Sequence, residues 1–194
     1  MNRSFFRQDT VQLAQKLLGC LLVHRTTKGA AGGMIVETEA YVGAVDKACH
    51  AYRNRSERTD IMFHDGGVAY VYLIYGMHCC FNVVTGPEGE GNAVLIRALE
   101  PVFGMDLMCR RRGTDRIENL CSGPGKLCQA LDITRKEYGL DLCDENGPLF
   151  LTPFRHFADK QIVSSRRINV DYAEEAADWP WRFYVKDNMF VSKK

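Results

Sequence analysis

Tyr70-Val71-Tyr72-Leu73-Ile74-Tyr75-Gly76-Met77-His78 runs from a tyrosine-rich strand straight into a turn. Aromatic and β-branched residues suit a pleated, half-buried surface, and Gly76 marks the turn. A three-residue loop at Gly76-Met77-His78 would pair Tyr72 with Asn82 on one face of a hairpin. A two-residue loop at Gly76-Met77 would put them on opposite faces. The odd loop, or a bulge of equal effect, is expected. Upstream lies Ile35-Val36-Glu37-Thr38-Glu39-Ala40-Tyr41. In a strand, alternation sets Ile35, Glu37, Glu39 and Tyr41 on one face and Met34, Val36, Thr38 and Ala40 on the other. Two acids and a ring on one strand are most often plain surface. Beside a strand of tyrosines they can instead grip a flat heterocycle and attack the atom bonded to it.

Outward from these strands, Asp9-Thr10-Val11-Gln12 reads as a helix cap, with Val11, Ala14, Leu17 and Leu18 at helical spacing and Gly19 as the stop. Residues 20–24 read as a strand, and residues 28–33 as a glycine-rich turn into a strand over 34–42. The polar stretch 43–60 reads as a long loop, a kind of segment that often carries function. A turn at His64-Asp65-Gly66-Gly67 precedes the tyrosine strand, residues 81–85 return, and 93–99 form a further strand. Glu100-Pro101 is read as opening a helix that ends near Gly113. Ser122-Gly123-Pro124 opens another that runs to Leu131, and short strands follow near 149–151, 161–164 and 182–185. Strands joined by turns, with helices in blocks, predict an α+β single domain with an antiparallel sheet.

Bulk composition narrows the class. The chain has 194 residues, 46% hydrophobic and 25% charged, which fits one globular domain over 1–194. No apolar run is long enough for a membrane span, so no membrane association is expected. Residues 1–9 lack the apolar core of an export signal. The eight cysteines include no C-x-x-C pair, which favours reduced structural thiols over disulfides or a metal site. No metal and no cofactor are expected. Net charge is +1, so it argues neither for nor against nucleic acid. Local clusters at Arg53-Asn54-Arg55, Arg110-Arg111-Arg112 and Arg166-Arg167 are candidates for phosphate, although such clusters are usually solvated surface.

The strand motifs, taken with His50, Asn82, Leu95-Ile96-Arg97-Ala98-Leu99-Glu100-Pro101 and the stretch Leu120-Cys121-Ser122-Gly123-Pro124-Gly125-Lys126-Leu127-Cys128-Gln129-Ala130-Leu131, closely resemble the alkyladenine (3-methyladenine) DNA glycosylases. Arg182-Phe183-Tyr184-Val185 resembles the end of that domain, so the likeness covers nearly the whole chain. Departures lie at Ala44-Val45-Asp46-Lys47 and over residues 54–60. The resemblance implies a curved, open-barrel-like antiparallel sheet, similar to formyltransferase C-terminal domains, with flanking helices and a protruding β-hairpin. It further implies base-excision repair of alkylated or deaminated purines such as 3-methyladenine, 7-methylguanine, hypoxanthine and ethenoadenine. The partner implied is double-stranded DNA containing damaged purines, met by a monomer, in the cytoplasm on the nucleoid of a bacterium or in a eukaryotic nucleus.

By the same resemblance, Glu39 is the catalytic acid group that deprotonates water, and Arg97 helps position that water. Tyr41, His50 and Tyr72 hold the flipped base, and Leu95 lines the same pocket. Asn82 crowds the exocyclic amine of normal guanine. Tyr75, with Met77 as an alternative or partner, wedges into the minor groove, a role that suits a bulky side chain on a hairpin tip. Alternation alone does not choose Glu39 over Glu37. The helix start at Ser122 and Lys126 could bind a phosphate or could be an ordinary cap. No lysine lies in the pocket motifs to form a Schiff base, which implies hydrolysis without strand cleavage. Three rivals stand beside this reading: a non-catalytic nucleic-acid-binding module with a tyrosine stacking platform, a metal protein built on the cysteines and histidines, and a protein of the same fold acting on a tRNA-bound substrate, which gives no reason for Glu39 beside Tyr41.

Overall fold

The tyrosine strand, β3 (Ala69–Ile74), forms one edge of an open eight-stranded antiparallel sheet in the computed structural model, which describes residues 1–53 and 55–193. Asn54, in the first arginine cluster and the divergent 54–60 loop, lies outside the described residues, as does Lys194, the last residue of the expected 1–194 domain. The other strands are β1 (Cys20–Thr26), β2 (Gly29–Tyr41), β4 (His78–Thr85), β5 (Asn92–Phe103), β6 (Leu149–Pro153), β7 (Ile162–Ser165) and β8 (Arg182–Val185). The main path runs β3-β4-β5-β2-β1-β6, and β8 joins β2 on one side and β7 on the other. The architecture is α+β with an antiparallel sheet, as the alternation of strands and turns predicted.

Two faces of the sheet do different work, and side-chain alternation decides which residue goes where. Val71, Phe81, Val83, Val94 and Ile96 turn to the main core. There they meet Leu13, Ala14 and Leu17 from α2 (Thr10–Lys16) and its end, and Leu127 and Leu131 from α4 (Pro124–Leu131). The Asp9 side chain caps α2 by accepting from the Gln12 amide at 2.9 Å, and Thr38 ties β2 to the helix by donating to the Ala14 carbonyl at 2.8 Å. The opposite face carries a smaller cluster that includes Tyr70, Val84 and Ala93, with Tyr41 and Tyr72 against it.

Several expectations need correction. The hairpin loop has three residues, but they are Tyr75-Gly76-Met77, closed by Ile74 opposite His78. Tyr72 therefore pairs with Cys80, and Asn82 pairs with Tyr70. The slip is two residues, which conserves the face, so Tyr72 and Asn82 still share one side of the sheet. Glycines 29, 32 and 33 lie inside β2 rather than in a turn. Gly33 sits opposite Pro101, which is the second correction: Glu100-Pro101 continues β5 to Phe103 instead of opening a helix. A register shift at this point tolerates the missing proline N–H. The helix, α3 (Met105–Arg112), starts only after Gly104 reverses the chain at φ 73°. Residues 60–63, at the end of the long loop, form a 3-10 turn.

Packing explains the glycines. A Cβ on Gly33 would lie 2.9 Å from the Leu99 Cβ and 3.0 Å from the Glu100 carbonyl oxygen, both on the strand that passes it. Gly33→Ala is expected to lower unfolding free energy by about 1–3 kcal/mol, the usual cost of overpacking, read as a lower urea midpoint at unchanged slope. An unshifted midpoint would show that β2 and β5 do not approach so closely.

Candidate active site

Across the second face a single row of paired residues runs Glu39, Leu95, Asn82, Tyr70, one from each of β2, β5, β4 and β3. Directly paired residues share a face, so an acid, an apolar floor, an amide and a ring are lined up by register alone. Over this row opens a cavity of about 530 Å³, within the range of roughly 300–1,000 Å³ that small ligands occupy. Its wall includes Tyr41, His50, Tyr72, Asn82, Leu95 and Arg97, all six of them foreseen from the sequence. Tyr75 stands at its mouth, 82% exposed on the hairpin tip and held at φ 51°. Met77 is 74% exposed on the same tip, outside the cavity wall.

Glu39 lies one layer behind the wall and is fully buried. Its three partners all line the cavity: the Tyr41 hydroxyl donates to Oε2 at 2.7 Å, the Ile168 amide donates to Oε1 at 2.8 Å, and the Arg97 guanidinium sits 3.3 Å from Oε2. Glu37, also fully buried, is held differently. It accepts from Arg97 Nε at 3.1 Å, Arg182 Nε at 2.7 Å, Ser192 Oγ at 3.0 Å and the Ser192 amide at 2.7 Å. A carboxylate offers about four lone-pair sites. Glu37 has four donors, three on Oε1 and one on Oε2, and of these residues only Arg97 lines the cavity. Glu39 keeps one open acceptor position on Oε1, and all its partners line the cavity, so the surroundings separate two acids that alternation could not.

Arg97 reaches both carboxylates because the strands are irregular at that point. Ile35 pairs with Leu99, Glu37 with Ala98 and Thr38 with Ile96, so Val36 is the extra residue on β2 and Arg97 the extra residue on β5. Bulges of this kind re-aim a side chain next to a site. They also qualify the simple alternation, because Ile35 and Val36 both belong to the main core.

The aromatic wall is close-set. Tyr70 and Tyr72 have ring centroids 5.4 Å apart, and His50 stands edge-on to Tyr72 at 4.7 Å. His50 Nδ1 lies 3.0 Å from the Tyr70 hydroxyl. Burial, helped by the Arg58 guanidinium, pushes the His50 imidazolium down to about 4, so the ring is neutral near pH 7. Burial also raises the Tyr41 phenol well above its ordinary value, with the Glu39 charge adding to it, so Tyr41 remains a donor to that carboxylate. Asn82 donates its amide to the Tyr70 carbonyl at 3.1 Å, which fixes the side chain inside the cavity.

Tyr70, Arg58 and the segment Ile168-Asn169-Val170 with Tyr172 also line the cavity and were missed. Tyr70 had a signal, since it lies two residues from Tyr72 on the same strand face. The 168–172 segment had none, because it arrives from an irregular stretch with no periodicity. Arg167, read as part of a phosphate cluster, is buried instead. It donates to Asp46 Oδ1 at 2.8 Å and lies 4.7 Å from the centre of the Tyr41 ring. Arg111 and Arg112 bond to the Ala130 and Leu120 carbonyls at 3.0 and 3.2 Å, bracing α3 on its neighbours. Ser122 and Lys126 contact each other at 3.4 Å outside the cavity, although Pro124 at the start of α4 lines it. All eight cysteines are unpaired, and among the described residues no three metal-ligating side chains converge. Among those residues no helix is long and apolar enough to cross a membrane.

Comparison with known proteins agrees with this geometry. The family model described as methylpurine-DNA glycosylase matches residues 4–189. A protein of Alkaliphilus oremlandii named "Putative 3-methyladenine DNA glycosylase" is 48% identical over 203 residues, covering 100% of this chain and 99% of the relative. Proteins with the same name from Bacillus cereus strain G9842 and Clostridium botulinum strain Alaska E43 are 51% and 44% identical, the first over 98% of both chains and the second over 100% and 99%. The chain belongs to the methylpurine-DNA glycosylase family, enzymes that hydrolyse N-glycosyl bonds in DNA.

Two measurements check the site as drawn. Glu37→Gln leaves Arg97 and Arg182 without their shared counter-charge and is expected to cost roughly 3–5 kcal/mol of stability, read from urea unfolding. For His50 the sign runs toward acid weakness: its proton affinity is lower folded than unfolded, so acid below about 6.5 favours unfolding until the folded value is passed. The His50 Cε1 proton resonance is expected to stay flat from pH 8 to 5. An ordinary titration there would contradict its burial against Tyr70 and Tyr72.

Proposed function

We propose that this chain is a monofunctional DNA glycosylase that extrudes a damaged purine from double-stranded DNA, holds it among Tyr41, Tyr72 and His50, and hydrolyses its bond to the sugar. The observation that carries the reading is the Glu39 carboxylate, with one free acceptor position, bonded to three residues of an aromatic cavity beside an exposed hairpin tip.

Extrusion costs a few kcal/mol, and an inserted side chain filling the vacated stack offsets it. Tyr75 and Met77 are bulky, exposed and adjacent on the tip, which suits that task. Within the cavity Glu39 accepts a proton from a water whose oxygen adds to C1′. The C1′–N bond breaks with its electron pair leaving on the purine, and the sugar passes through an oxocarbenium-like state. A general base of this kind contributes typically 10²–10⁴-fold. Arg97 fixes Glu39 from one side, and its own charge is held by Glu37, so the guanidinium stays put while the proton moves.

Cationic lesions such as 3-methyladenine and 7-methylguanine gain about 0.5–2 kcal/mol from the tyrosine faces and leave readily. Neutral lesions such as hypoxanthine and ethenoadenine are selected by shape and edge contacts, where neutral His50 and fixed Asn82 are the available groups. The Asn82 amide in the floor disfavours a purine carrying an exocyclic amine at that position. The enzyme acts as a monomer in one domain spanning the chain and works on the chromosome of a bacterial cell, in keeping with its bacterial relatives.

Duplexes that each carry one modified purine, followed by identification of the released base, test the reading. Free base is expected from wild-type protein, and Glu39→Gln is expected to lower the single-turnover rate at least 10²-fold while duplex binding is retained. Borohydride is expected to trap no covalent adduct. Full turnover in Glu39→Gln, or a trapped adduct, would sink the mechanism.

A further inference from the structure

A second depression, of about 560 Å³, adjoins the base cavity at the outer edge of the hairpin stem and is lined by Arg58, Arg135, Tyr138, Glu57 and the strand residues 71–73. Both arginines are exposed, and neither side chain has a hydrogen-bond or ion-pair partner within the described residues. Two unpaired guanidiniums line one depression here, whereas Arg7, Arg55 and Arg166 are engaged by carboxylates.

The strand supplies a second kind of donor. β3 is an edge strand, and its register fixes which backbone groups face outward. Ala69 spends its outward N–H and C=O on Leu140 and Gly139, at 2.9 and 2.8 Å. Val71 and Leu73 share its parity, so their N–H groups point the same way, past the end of that pairing. Val71 is buried, whereas Leu73 is 40% exposed and lines the depression. No described partner accepts from the Leu73 amide. Free edge groups are normally covered or paired, and this one opens beside two cations.

We propose that this depression is a phosphate site that grips a backbone phosphodiester of the DNA strand being repaired, through Arg58, Arg135 and the outward amide of Leu73. The inference rests on the proposed glycosylase function, and it assigns a location to the backbone grip which that function requires. Guanidinium forks and backbone amides are matched to phosphate oxygens. Location supports the choice of ligand: the stem continues into the Tyr75 and Met77 tip, so a strand split by the tip would pass along this edge. Arg58, Tyr72 and Leu73 also line the base cavity, so the two depressions adjoin through three shared residues. Glu57 sets a limit on the charge, leaving a net single positive charge from the three side chains and therefore one phosphate rather than several.

The test is the salt dependence of binding to a duplex carrying one hypoxanthine, from 50 to 200 mM NaCl, for wild type and Arg58→Gln/Arg135→Gln. Loss of one phosphate contact is expected to reduce the slope of log K against log salt by about 0.9, and Arg135→Gln alone, outside the base cavity, is expected to weaken damaged and undamaged duplex alike. Both substitutions are at exposed positions, and a thermal melt confirms that the variants fold. Amide exchange gives an independent reading: Leu73 is expected to gain protection when wild type binds the duplex. An unchanged slope, or a Leu73 amide as fast-exchanging with DNA as without it, overturns the phosphate site. Protection that appears without DNA and grows with protein concentration overturns it too, since the edge would then be pairing with a second copy. Base release by wild type is measured alongside, and its absence would fault the glycosylase reading, not this site.

Discussion

A single buried cation between two acids organises the middle of this molecule. Arg97 lies between Glu37 and Glu39, and Arg182 shares Glu37 from the neighbouring strand. Burying such charges is worthwhile only when every partner is in place, because a lone buried charge costs several kcal/mol. Strands β2, β5 and β8 must therefore register together or not at all. The two compensating bulges at Val36 and Arg97 are what let one guanidinium face both carboxylates. A regular ladder would have spent Arg97 in a cross-strand pair and left Glu39 with one cation fewer.

The same constraint gives the two acids different surroundings. Glu37 gathers Arg97, Arg182 and Ser192 and so fastens the Arg182 strand and the Ser192 segment to the sheet. Glu39 is tethered by a phenol, an amide and a shared guanidinium, firm enough to hold its position and short of saturation by one acceptor site. Because Tyr41 donates to Glu39 through a phenol that burial keeps protonated, the ring and the acid are one unit. Moving either would misplace the other.

Much of this was legible in the sequence, and the reasons differ by element. The hairpin's facing survived an error in its pairing, because a two-residue slip leaves period-two alternation intact. The end of β5 was misread because Glu-Pro looks like a helix start, whereas a register shift opposite Pro101 and the close approach of β5 to the bare Gly33, far away in sequence, keep this stretch in a strand. Glu39 was separated from Glu37 by family likeness alone. The physical distinction depends on Ser192 and Arg182, whose approach no local pattern announces. The 168–172 wall was invisible for the same reason, since an irregular segment has no period to read.

The loops at residues 43–53 and 55–59 and at 166–172 contribute one side of the cavity, and they are not free to drift. Arg167 reaches from one to the other, pairing with Asp46, donating to the Ala40 carbonyl at 2.9 Å and the Ala176 carbonyl at 3.0 Å, and lying over the Tyr41 ring. Asp46, also buried, thus acts on the cavity through the cation it holds behind Tyr41. A cation behind Tyr41 draws on the same π density that a cationic base would use from the front. Asp46 offsets that draw by sharing the charge of Arg167. Tyr72 is backed differently: His50 stands edge-on to it at 4.7 Å and the Tyr70 ring lies 5.4 Å away, so rings hold it where a cation holds Tyr41.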